Sequence, residues 1–156
     1  MRIMTPREAL DRVRSFPLRS FNPGEAVISA AGAAGELLFL NEGMVEVAIE
    51  DVVIVRVSEP GSLFGEVALL LGQAHTAAVT AVQRSSFRVV DDPQAFFGAD
   101  PQVAVYVAQV LARRLNAVNH LLVDARRRIA QTDEPAGLVM DALRRMGHAL
   151  QHHAPM

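Results

Sequence analysis

Between residues 64 and 79 the chain reads FGEVALLLGQAHTAAV, and these residue types at this spacing can hold an anion. Gly65-Glu66 opens a short apolar run that closes on Gly72-Gln73-Ala74-His75-Thr76. The composition of Glu66 to Leu71 suits a short helical turn, whose first amides, those of Val67 and Ala68 among them, would meet a negative group with oriented N–H dipoles. Gly65 has no Cβ to obstruct a ligand's approach. Glu66 offers an acceptor, Thr76 a hydroxyl, and His75 stands where a cation would neutralise the anion. A bound phosphate would favour protonation of that imidazole, so binding should strengthen as pH falls. Two alternatives stay open: Glu66 as an exposed carboxylate that only stabilises its helix N-terminus, and His75 as a loop histidine in a pocket that holds something else or nothing.

Other candidate chemistry is sparse. With no cysteine there is no disulfide framework, thiolate metal site or catalytic thiol. His148 and His152 are four apart but have no carboxylate or cysteine at ligand spacing, and read as surface residues. Arg126-Arg127-Arg128 reads as a solvated basic helix end. Asp91-Asp92 precedes Pro93, where a turn explains it, and no serine has an elbow motif or a His-Asp partner set. No enzyme is expected, and neither metal nor cofactor.

The elements that must position the loop come from punctuation and periodicity. Thr5-Pro6-Arg7-Glu8 reads as a helix start with Thr5 as N-cap and Glu8 completing a capping box. From Phe16 to Val90, closely spaced Gly and Pro leave room only for strands. Met44 to Glu50 alternates polar and apolar and turns near Glu50-Asp51 into Val52 to Val57, a hairpin expected to bury one face. Further strands are expected over Thr76 to Val82 and Ser86 to Val90. The fold class expected is mainly β with flanking helices: a double-stranded β-helix or jelly-roll barrel followed by a long C-terminal helix.

That helix should start at Asp100-Pro101 and run to about Gln131, roughly 45 Å at 1.5 Å per residue, longer than a small barrel can cover. Ala104, Ala108, Leu111, Leu115, Val118, Leu122, Ala125 and Ile129 form a heptad seam, with Val103, Val107, Val110, Ala117 and Leu121 to one side. One stripe is expected to dock on the barrel and the other to form a homodimer, against the alternative that both pack within the chain. A last helix is expected from Pro135 to about Gln151. The expected division is therefore 1–132, including the long helix, and 133–156 as a helical extension.

The 156 residues suit one core, and the net charge of −2 gives no general electrostatic grip on nucleic acid. No apolar run is long enough for a membrane span, and no leader is evident, so a cytoplasmic location is expected.

The order of these parts resembles the cyclic-nucleotide-binding domain family. Phe21-Asn22-Pro23-Gly24-Glu25 resembles its early turn, Gly43-Met44-Val45-Glu46-Val47 its Gly-x-Val-x-Val strand, and Pro60 to Leu70 the entry to its phosphate-binding cassette. Ala112-Arg113-Arg114-Leu115 and Arg128-Ile129-Ala130-Gln131-Thr132 resemble the helix of the bacterial catabolite-activator type. The resemblance covers roughly residues 16 to 132. It implies a stand-alone sensor of cyclic AMP or cyclic GMP, with Gly65, Glu66, Val67, Ala68, His75 and Thr76 at the ligand. Glu66 would meet a sugar hydroxyl, and Asn119 would be either a base contact or an ordinary polar helix position. An effector protein would read the sensor. The sequence departs from the family at His75, where the usual residue is Arg; losing that charge-assisted fork should cost about 1.5 to 3 kcal/mol. The alternative functions are a ligand-free dimerisation or protein-interaction module and a sensor of another anion. Only the opening of the activators' winged helix-turn-helix is matched, so DNA binding is not expected.

Overall fold

The structure, a computed structural model, describes residues 1–131 together with Gly137, Arg144 and Arg145. The expected helix over Pro135 to Gln151, with His148 and His152, lies outside the described residues. Two compact units divide the chain, Met1–Gln109 and Val110–Met156.

Thr5 caps α1 (Pro6–Arg12) as its spacing predicts: its side chain accepts from Glu8 N–H and Glu8 returns a bond to the Thr5 N–H, with Pro6 in the first turn. Eight strands follow, interrupted once: β1 (Leu18–Phe21), β2 (Ala26–Ile28), β3 (Leu37–Glu42), β4 (Val45–Ile49), β5 (Val52–Val57), β6 (Leu63–Phe64), then α2 (Glu66–Leu71), β7 (Ala77–Ala81) and β8 (Ser85–Val90). They form two antiparallel four-stranded sheets, ordered β1-β8-β3-β6 and β2-β7-β4-β5. This is the expected jelly roll, although its sheets do not close into a barrel.

The space between the sheets is filled by the inward residues Ile28, Leu38, Leu40, Val45, Phe64, Val79, Phe87 and Val89. Phe87 stands at the centre, with Phe21 and Phe64 each edge-on to it at 5.8 Å. Such contacts add to burial because the positive ring edge meets the negative face.

The hairpin differs from expectation on one strand. β4 and β5 pair around Glu50-Asp51, both at positive φ as a tight two-residue turn requires, but of β5 only the half-buried Val57 packs against the core. Val52, Val53, Ile54 and Val55 are 61%, 53%, 58% and 47% exposed. Period two marks a strand; it does not say what covers its faces.

After β8, Asp92 caps α3 (Pro93–Ala99) by accepting from Ala95 N–H, so the Asp91-Asp92-Pro93 segment is a helix start rather than only a turn. α4 runs over Pro101–Ala130. Within the first unit its Val103, Tyr106 and Val107 are buried, and the Tyr106 hydroxyl donates to Gly61 O at 3.3 Å. Gly61 has φ +91°, and a Cβ there would stand 1.9 Å from Pro6 O, so α1, this turn and α4 pack through a point only glycine fits. In the second unit Leu115, Val118, Leu121 and Val123 are exposed, while Leu122 and Ile129 are half-buried. Leu121, grouped by sequence beside Val103 and Val107, is thus not part of a buried stripe. Among the described residues no helix is long and apolar enough to cross a membrane.

Candidate ligand-binding site

Gly65 turns the chain from β6 into α2 with φ +88°, the left-handed conformation that glycine adopts without strain. The sequence reading assigns its missing Cβ to ligand approach. The structure adds a reason internal to the protein: a Cβ at Gly65 would lie 2.6 Å from Glu36 O. The cassette therefore presses directly on the segment that enters β3.

The first i→i−4 bond of α2 runs from Leu69 N–H to Gly65 O at 3.2 Å, so the amides of Val67 and Ala68 precede the helical ladder. Gly72 ends the helix at φ +61°, its N–H bonding back to the last turn, as left-handed caps do. The chain then returns toward its starting corner. His75 N–H donates to Gly32 O at 3.0 Å and His75 O accepts from Ala31 N–H at 2.8 Å, which fixes the end of the cassette against the β2–β3 loop. The His75 Cε1 lies 3.9 Å from the point a Gly65 Cβ would occupy.

A cavity of about 280 Å³ opens here, lined by Val27, Ile28, Ser29, Gly32 to Glu36, Leu38 and His75. Its lining is small or apolar except for Ser29, Glu36 and His75. No guanidinium lines it. Glu36 is bonded bidentately by Arg19 across to β1, at 2.8 and 2.9 Å. Those bonds hold its carboxyl below the ordinary 4.5, with the charge of Arg19 adding to them and partial burial opposing. This pair, seventeen positions apart and joining β1 to the residue before β3, is the part of the site that sequence reasoning missed.

Of the residues singled out by sequence, Gly65 and His75 are brought together. Glu66 is 2% exposed, which removes the reading of a solvated helix-end carboxylate, and it is not among the residues lining the cavity. Ala68 is buried; Val67 and Thr76 are exposed. Asn119, exposed on α4, belongs to the second unit.

A larger recess, about 380 Å³, lies between the N-terminal segment, α1 and the first turns of α4. It is not at the cassette, and its guanidinium groups are already engaged, Arg2 with Glu8 and Arg12 with Asp100 and Gln102. It offers an anion less than the smaller cavity does.

The sequence profile of the Cyclic nucleotide-binding domain family matches residues 18–99, from β1 through α3. The chain belongs to that family. The catabolite activator protein of Thermus thermophilus is similar at 24% identity with a TM-score of 0.65, over 81% of this chain and 65% of that one, so this chain spans just under two thirds of the activator's length. A structure described as "A cyclic-GMP-dependent signalling pathway regulates bacterial phytopathogenesis" is 25% identical with a TM-score of 0.62, over 74% of this chain and 98% of that one. PKAR CBD2 with bound Sp-2Cl-cAMPS is 21% identical with a TM-score of 0.56, over 74% and 80%. No curated protein matches the chain.

Proposed function

We propose that this cyclic nucleotide-binding domain is a regulatory sensor, not a catalyst, and that its ligand is cyclic AMP or cyclic GMP bound with weakened affinity. The observation that carries this reading is the return of the cassette onto itself: His75, which lines the cavity, lies with its Cε1 3.9 Å from the point a Cβ of the left-handed Gly65 would occupy. Similarity to proteins described with cyclic GMP signalling and with a cyclic AMP analogue supports the choice of ligand. In this reading the phosphate meets the amides of Val67 and Ala68, with the His75 imidazole and Thr76 hydroxyl beside it, and Glu66 takes a sugar hydroxyl. The exposed α4 residues Leu115 and Val118 form a homodimer seam, through which occupancy reaches an effector protein.

Calorimetric titration with cyclic AMP and cyclic GMP at pH 6 and pH 8 tests the proposal. Phosphate is better met by imidazolium than by imidazole, so binding is expected to be tighter at pH 6. His75→Arg is expected to restore a fork and tighten binding by roughly one to two orders of magnitude at pH 8. Silence from folded wild type with clear binding by the variant would mean a pocket disarmed at one residue. Silence from both overturns the nucleotide reading. One observation favours a second reading, an interaction module or a sensor of another ligand: the cavity is lined by a carboxylate, Glu36, and by no guanidinium.

A further inference from the structure

A phosphate in the cavity at the cassette needs a cation, yet the acidic residue in its lining, Glu36, would repel one unless another group neutralised it. Arg19 does this, with Nη1 on one carboxylate oxygen at 2.8 Å and Nη2 on the other at 2.9 Å. Arg19 stands opposite Phe87 in the β1–β8 register, and residues so paired share one face of the sheet. Phe87 belongs to the core between the sheets, so the Arg19 side chain leaves β1 from the inner face. Ile28 and Leu38 of the same core line the cavity. The guanidinium groups of Arg12, Arg56 and Arg88 bond instead to Asp100, Glu46 and the Phe16 carbonyl, none of which lines it. A guanidinium carries five N–H donors in a rigid plane, and with two of them on Glu36, three remain for a second acceptor. The Arg19 side chain is 47% exposed, so it can turn without displacing core atoms.

We infer that Arg19 is the phosphate-binding cation of this site, delivered from β1 and steered by Glu36, in place of a guanidinium at position 75. This rests on the nucleotide reading above. Glu36 then has two effects: its carboxylate holds the guanidinium one hydrogen bond from the cavity, and its charge competes with the ligand for it. The phosphate accepts from the N–H groups that Glu36 leaves open, a charge-assisted contact of the kind an imidazole alone does not supply. The residue that steers Arg19 also touches the cassette, since a Cβ at Gly65 would lie 2.6 Å from Glu36 O. Arg19 and Glu36 therefore act on affinity with opposite signs. A pair that served only to brace the loop would act with the same sign from either side.

Calorimetric titration of the full chain with cyclic AMP and cyclic GMP at pH 8 separates these cases, with circular dichroism to establish that each variant keeps its fold. Arg19→Gln is expected to weaken binding roughly tenfold or more. Glu36→Gln keeps one acceptor for Arg19 but removes the competing charge, and is expected to tighten binding about threefold. In the His75→Arg background the loss caused by Arg19→Gln is expected to shrink, because two guanidinium groups then serve one phosphate. Binding by wild type that Arg19→Gln leaves unchanged overturns the inference, as does weakening by both single variants. Silence from wild type with clear binding by His75→Arg also overturns it, while the nucleotide reading stands. Silence from both removes that reading and this inference with it.

Discussion

Glu36 sits between two demands, since its carboxylate is fixed by Arg19 and it also lines the cavity where His75 stands. Hydrogen bonds from Arg19 lower its pKa from 4.5, so the pair contributes stability that is present above that value and is lost as pH falls through the lower, folded one. Both side chains are nearly half exposed, 47% and 42%, and screening keeps the contribution below about 1 kcal/mol. Urea unfolding of wild type and Glu36→Gln is expected to show this gap at pH 7 and to show it narrowing as pH falls below 4.5. A gap unchanged by pH would mean that ionisation of Glu36 is not its source. The contrast with Glu8 shows what a sequence discloses about single side chains. The Thr5-Glu8 box is a local pattern whose two bonds follow from spacing, and it was legible. Arg19 and Glu36 meet only after β1 and the entry to β3 are brought together through β8, and no spacing encodes that. The burial of Glu66 was hidden for a related reason: a helix start promises a solvated carboxylate until the packing around it is known.

Ser85 opens β8 in one sheet, yet its hydroxyl bonds to the residue that leads into β4 in the other. It accepts from Met44 N–H at 3.1 Å and donates to Gln83 O at 2.8 Å, at 1% exposure. Its role is to satisfy backbone groups where the chain passes between sheets, which no strand ladder reaches. Ser85→Ala is expected to leave the Met44 amide unpaired and to cost about 1 to 3 kcal/mol, read as a lower denaturant midpoint with an unchanged slope. Ser85→Thr, which keeps the oxygen, separates loss of the bond from crowding at Gly43, whose missing Cβ would fall 2.2 Å from Ser85 Oγ. A midpoint unmoved by Ser85→Ala would show that water replaces the hydroxyl. Turns and starts were the legible features of these elements: the Glu50-Asp51 reversal, the Asp100-Pro101 opening of α4, and the glycines bounding α2. Exposure was not. β4 and β5 have similar patterns, but β4 lies between β7 and β5 while β5 has one neighbour, a difference of sheet order rather than of residue type.

Leu115 and Val118 of α4 are 54% and 46% exposed, and their place in a heptad pattern is that of a helix packed on a second helix. In the dimer proposed above such a seam is isologous, each copy presenting the same face to the other. Leu115→Glu introduces a charge into that face while keeping a good helix former, and is expected to turn a dimer into a monomer in sedimentation equilibrium, with circular dichroism establishing that the helix content is kept. If the variant associates as wild type does, or wild type is itself monomeric, the helix face is not a seam, and a ligand signal would have to leave the domain by another surface.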